Sequence, residues 1–204
     1  MRALLVIDVQ NDFCAGGALA VPDGDAVVSV INRMLPAFPL VVLTQDWHPL
    51  GHASFASSHP GRKPFDEIEL GYGPQTLWPD HCVPGTHGAE FHPRLDTRPA
   101  ALIVRKGSNP AVDSYSAFYE NDHTTPTGLA AYLRERGVRD VALAGLATDY
   151  CVLYSALDAA QAGFGVTVVE DAVRGLDVNG SLAAAWAAMA AAGVRRRPDL
   201  SGPA

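Results

Sequence analysis

Five stretches of this chain are continuously apolar rather than alternating: Ala3 to Ile7, Leu40 to Leu43, Ala101 to Val104, Val141 to Ala144 and Val166 to Val169. Short runs of this kind, bounded by polar residues, predict strands buried on both faces, as in a parallel sheet. Between them, apolar positions recur at helical spacing over Asp25 to Leu35, Gly128 to Arg136, Asp149 to Gln161 and Ser181 to Ala191. Gly137 and Gly163 stand where helix C-caps belong. The alternation predicts one α/β domain over residues 1–194: three α/β/α layers, Rossmann-like, with a mainly parallel central sheet and right-handed crossovers. One segment departs from the pattern. Residues 45–99 are weakly periodic and rich in Pro, Gly and His. Compact domains carry such a stretch for a purpose, and here it is expected to form the site and its pocket. Residues 195–204 are expected to be a flexible tail.

Composition narrows the partners. The 204 residues carry a net charge of −7, and Arg195 to Arg197 is the one cationic cluster. That argues against nucleic acid or a membrane surface as partner. No stretch is long enough to span a bilayer, and the first apolar run ends at Asp8, too early for a secretory signal. Three cysteines without paired spacing predict free thiols and a cytoplasmic protein.

Candidate chemistry collects where predicted strands end. Asp8 closes the first strand, Asp46 follows the second, Lys106 the third and Cys151 the fourth. Open parallel sheets bind ligands outside these carboxyl ends. Each residue has a bland alternative: Asp8 as a loop cap, Lys106 as a solvated lysine, Cys151 as a small buried apolar residue. Four of them at four consecutive strand ends favour a site. At a strand-to-helix junction, Cys151 gains a favoured thiolate from the helix dipole. It would attack a carbonyl carbon, with Asp8 moving the proton and Lys106 paired to that carboxylate. Backbone amides at Ala147 and Cys151 would hold the oxyanion.

A second cluster is Asp46-Trp47-His48, followed later by Trp78-Pro79-Asp80-His81-Cys82. In an extended Asp-x-His segment the carboxylate and the imidazole point the same way. A third ligand from a later loop would complete a site for Zn²⁺, Fe²⁺ or Mn²⁺. Phe13 and Trp78 are placed to sandwich a flat ring, with Tyr115 and Leu146 as further substrate contacts. Phe118 reads as core.

These residues together resemble a known family. The stretches are Leu5-Val6-Ile7-Asp8-Val9-Gln10-Asn11-Asp12-Phe13, Thr44-Gln45-Asp46-Trp47-His48-Pro49, Trp78 to Ala89, Lys106-Gly107, Asp113 to Phe118 and Gly145 to Val152. They are similar to the nicotinamidases of the isochorismatase-like (cysteine amidohydrolase) superfamily and run in family order to about Ala172. The resemblance implies a catalytic triad of Asp8, Lys106 and Cys151. It implies a divalent metal on Asp46, His48 and His81, and a cis peptide bond between Leu146 and Ala147. It also implies hydrolysis of nicotinamide to nicotinate and ammonia in NAD salvage, with pyrazinamide as a second substrate. His52 is a candidate fourth ligand, and Cys14 and Cys82 are expected to be structural. Two other readings remain: an aliphatic amide hydrolase of the same superfamily, which needs no metal, and a non-catalytic binding domain on the same fold.

Overall fold

All five apolar runs are strands in the computed structural model, which describes residues 1–199. They are β1 (Arg2–Ile7), β2 (Leu40–Asp46), β5 (Ala100–Lys106), β6 (Asp140–Leu146) and β7 (Gly165–Arg174). The four helical patterns become α1 (Ala26–Met34), α2 (Leu129–Glu135), α3 (Leu153–Gln161) and α4 (Ser181–Ala191). Gly137 and Gly163 take positive φ just past α2 and α3, as a C-capping glycine does.

With a last short strand, β8 (Arg195–Arg197), the sheet order is β5-β2-β1-β6-β7-β8, and every pairing is parallel. From β1 the chain moves outward through β2 to β5, then returns to the other side of β1 as β6. The β1/β6 boundary is therefore where connections diverge to opposite faces, the crevice in which such sheets hold ligands. Residues of β1 divide between the two faces. Leu4 and Val6 pack with Val27, Val28 and Ile31 of α1, whereas Ala3, Leu5 and Ile7 pack with residues of α2, α3 and α4. Two buried faces explain the continuous apolar runs. At Gly145, φ is +119° and any Cβ would overlap the Ile7 carbonyl oxygen, so this close strand contact admits only glycine.

Three expectations change. First, β5 is an edge strand whose outer face is open. Leu102 and Val104 pack inward, but Ile103 is 47% exposed. Second, the tail begins later than expected, because Arg195–Arg197 forms β8 and pairs with Thr167 to Val169 of β7. The Arg196 guanidinium stacks 4.2 Å from the Trp186 ring and pairs with Glu170. These contacts hold a basic segment that carries no apolar signal. The tail expected over residues 200–204 lies outside the described residues. Third, the 45–99 segment contains an antiparallel hairpin, β3 (Glu67–Leu70) with β4 (Gly73–Thr76). Among the described residues, no helix is long and apolar enough to cross a membrane.

Candidate active site

The strand ends converge as the sequence predicts. Asp8 immediately follows β1. Asp46 and Lys106, the last residues of β2 and β5, are register partners. Cys151 lies in a π-helical turn, Thr148–Val152, between β6 and α3. The peptide bond between Leu146 and Ala147 is cis.

Lys106 is the hub and is fully buried. Its Nζ lies 2.9 Å from Asp8 Oδ2 and 3.5 Å from Cys151 Sγ, donates to the Ser114 carbonyl at 2.7 Å, and contacts Asp46 Oδ1. Burial disfavours a charged lysine, but the Asp46 and Asp8 carboxylates outweigh it and raise its pKa well above the ordinary value. The two carboxylates then diverge. Burial dominates at Asp8 and raises its pKa against the pull of Lys106. At Asp46, burial is overcome by Lys106 together with His48 and His81, and the pKa falls below the ordinary range. The two buried carboxyls are thus pushed in opposite directions by their surroundings. Cys151, 5% exposed, is raised well above an ordinary thiol by burial, again against Lys106. The expectation of a thiolate favoured at rest is thus reversed. Burial works against the thiolate, and ligand atoms of Asp8, Asp46 and Cys151 lie within 4.8 Å of one another.

The metal fit can be tested by following protons. His48 Nε2 lies 2.8 Å from Asp113 Oδ1. A carboxylate only accepts, so that nitrogen carries the proton. His48 Nδ1 is then a bare lone pair, buried and without a partner. His81 Nδ1 donates to the Pro79 carbonyl at 2.8 Å, which turns Nε2 toward Asp46 Oδ2, 3.7 Å away. Burial works against a charged His81 ring, yet Asp46 outweighs it and raises the pKa. A cation belongs at this position, either a proton or a metal. One ligand atom each from Asp46, His48 and His81 lies within 4.8 Å of the others. Two oriented imidazoles and an ionised carboxylate suit a divalent ion. His52 does not join them. Its Nδ1 pairs with Ser54 Oγ at 2.8 Å, its Nε2 with the Asn109 carbonyl at 2.9 Å, and its ring packs edge-on to His48.

A cavity of about 20 Å³ opens onto Asp46, His81, Ala147 and Cys151. Phe13, Trp78, Tyr115 and Tyr150 supply aromatic walls, closed further by Leu19 and Leu176. Trp78 and Tyr150 meet edge-to-face at 4.8 Å. Room for about one water means that wall side chains must move to admit a ring. Leu146 is a correction: it is fully buried in the core and does not line the cavity, since its side chain points from the strand into the α1-side layer. Phe118, Cys14 and Cys82 are buried in the cores, as expected. A larger surface hollow, about 500 Å³ beside Tyr119, His123 and Asp158, shares no lining residue with this cavity.

Several supporting residues had gone unassigned. Thr44 Oγ1 accepts the Asp8 amide at 3.1 Å and donates to Asp8 Oδ1 at 2.5 Å. Gln10 clamps the Asp46 backbone through Oε1 and Nε2 at 2.8 and 2.9 Å. Besides His48, Asp113 accepts from Gln75 Nε2 at 2.8 Å, and that nitrogen also donates to the Tyr115 hydroxyl at 3.0 Å. Burial opposes a charged Asp113, but His48 prevails and holds the pKa at about 2. Asp149 accepts the Leu176 and Asp177 amides at 3.0 and 2.8 Å and the Ser181 hydroxyl at 2.5 Å. Thr44, Asp113 and Asp149 fall inside the recognised stretches, which was the available signal, but their partners are remote in sequence.

Comparison with known proteins identifies the family. The isochorismatase domain family matches residues 2–196, and the chain belongs to that family. It is 54% identical to a nicotinamidase of Acinetobacter baylyi over 194 residues, covering 95% of this chain and 91% of the relative. A solved nicotinamidase/pyrazinamidase structure from Acinetobacter baumanii superposes with a TM-score of 0.95 at 56% identity, covering 96% of this chain and 95% of that one. The pyrazinamidase of Pyrococcus horikoshii, solved in complex with zinc, superposes with a TM-score of 0.77 at 36% identity, covering 96% and 97%.

Proposed function

We propose that this chain is a cytoplasmic nicotinamidase, hydrolysing nicotinamide to nicotinate and ammonia in NAD salvage and also accepting pyrazinamide. The observation that carries the reading is the buried Lys106 ammonium within reach of Asp8, Asp46 and Cys151, the last two of which line an aromatic-walled cavity. Cys151 Sγ attacks the carboxamide carbon while Asp8 takes the thiol proton. A carboxyl raised by burial is the stronger base for that task. The amides of Ala147 and Cys151 receive the oxyanion. Asp8 returns the proton to the departing nitrogen, ammonia leaves, and a thioester remains. Asp8 then deprotonates a water that attacks the thioester, and the acid and the free thiol are released. Lys106 holds Asp8 in place and keeps Asp46 ionised.

Asp46, His48 and His81 would hold the divalent ion, with zinc the best match to one carboxylate and two imidazoles. Bound there, the ion would supply Lewis acidity toward the ring nitrogen of the substrate. Recognition of a buried polar atom discriminates more strongly than apolar walls do. The test is ammonia release from nicotinamide and from benzamide, before and after chelation. Release from nicotinamide alone, lost on chelation and restored by Zn²⁺, Mn²⁺ or Fe²⁺, is the expected result. No release from metal-replete protein overturns the reading. Equal, chelation-insensitive cleavage of both amides removes the metal from recognition.

A further inference from the structure

A second group of donors lies away from the catalytic cluster. Cys14 directly follows the short turn that carries Phe13, Asp25 precedes α1, and His92 belongs to the 45–99 segment. One ligand atom from each lies within 4.8 Å of the others. Cys14 and His92 are buried, and Asp25 is partly open. All three line one hollow of about 290 Å³, which connects the cluster to solvent. We propose that Cys14, Asp25 and His92 form a second divalent-metal site of the zinc type, with water from this hollow completing the shell.

The oxygen–nitrogen spacing is near that of such a site, and the Cys14 sulfur lies within 4.8 Å of both. Asp25 Oδ1 and His92 Nε2 are 3.1 Å apart. Tetrahedral ligands at zinc distances stand about 3.3 Å apart for an oxygen and a nitrogen, and about 3.6 Å for a sulfur and a nitrogen. One thiolate, one imidazole and one carboxylate, with an open fourth position, make a donor set that zinc accepts. Coordination changes the protons as follows. The Cys14 thiol, raised by burial to about 11, gives its proton to solvent as the sulfur–metal bond forms. His92 moves its proton from Nε2 to Nδ1. That gives up two contacts, the His92–Asp25 hydrogen bond and the 3.2 Å bond from the Arg94 amide to Nδ1. The Arg94 side chain, 70% exposed and 3.6 Å from Asp25, is free to swing into solvent.

The site would tie three remote segments together directly behind Phe13. Phe13 is both a cavity wall and the edge-on neighbour of His81, with ring centres 5.5 Å apart. The ion would fix the cavity wall and take no part in the reaction. This inference does not rest on the proposed substrate.

Cobalt(II) distinguishes the two sites, because once Cys151 is removed Cys14 is the one cysteine grouped with other ligand atoms among the described residues, Cys82 joining no such group. In a Cys151→Ala background, titration is expected to show two equivalents of Co²⁺ and a near-ultraviolet thiolate-to-cobalt band. Adding Cys14→Ser should remove the band and one equivalent, while the Asp46/His48/His81 equivalent stays. His92→Gln, which keeps a polar partner for Asp25, should do the same and covers the case where Cys14→Ser fails to fold. A band that survives both variants, or folded Cys151→Ala protein that binds cobalt without any thiolate band, overturns the proposal.

Discussion

Replacing Lys106 by methionine tests the electrostatic core of the site. Methionine keeps the length of the side chain and removes the charge. Lys106 and Asp8 are fully buried, and Asp46 is nearly so. The variant therefore leaves two carboxylates facing each other in a medium that cannot solvate them. Removing one partner of a buried ion pair typically destabilises by about 3–5 kcal/mol. For a domain of this size that corresponds to a fall in Tm of about 6–20 °C. The loss should depend on pH with a definite sign. In the wild-type protein the Asp46 pKa is held below its unfolded value, so its contribution is present above that value and disappears as pH falls through the folded pKa. Without Lys106, burial is the largest remaining influence on both carboxyls and raises them. Carboxyls raised in the folded state favour folding at low pH and oppose it as pH rises. The gap in Tm between wild type and Lys106→Met should therefore be widest at neutral pH and shrink toward about pH 4, near the unfolded carboxyl values. Thermal denaturation of chelator-treated protein across that range measures it. A gap that is the same at both ends would mean that Lys106 contributes packing and not charge, and the reasoning would fail.

Other perturbations examine separate parts of the site. Cys151→Ala should abolish ammonia release, by at least about 10⁴-fold, while nicotinamide binding measured by calorimetry persists; a binding module would show no change. Asp113→Ala frees His48 from its orienting partner and should weaken divalent-metal affinity by about 10–100-fold, read by competition with a chromogenic chelator; unchanged affinity would assign Asp113 to the Gln75–Tyr115 network alone. Asp149→Ala strips three donors at the β7–α4 connection of their acceptor and should destabilise by about 2–4 kcal/mol. Because Leu176 lines the cavity, KM should rise as well; a change in Tm with KM untouched would make Asp149 purely structural.

The sequence by itself determined five of the six strands of the main sheet, its four α-helices and the positions of Asp8, Asp46, Lys106 and Cys151 at strand ends. Burial on two faces writes itself as uninterrupted apolar runs, and the chain must turn polar where a strand leaves the core. The recognised stretches added which chemistry those residues carry. The tertiary structure decided which strand ends meet. Apolar periodicity reports that a residue is buried but not beside what, and parallel pairing is set by contacts far apart in sequence. The order β5-β2-β1-β6 brings Asp46 into register with Lys106 and places Asp8 next to Cys151. The same long-range contacts made β5 an exposed edge and drew the basic Arg195–Arg197 segment into the sheet as β8. The pKa of Cys151 was likewise beyond the sequence. The helix junction favoured a thiolate, and burial beside the Asp46 and Asp8 carboxylates works against it, because the cost of removing a charge from water depends on everything that surrounds it.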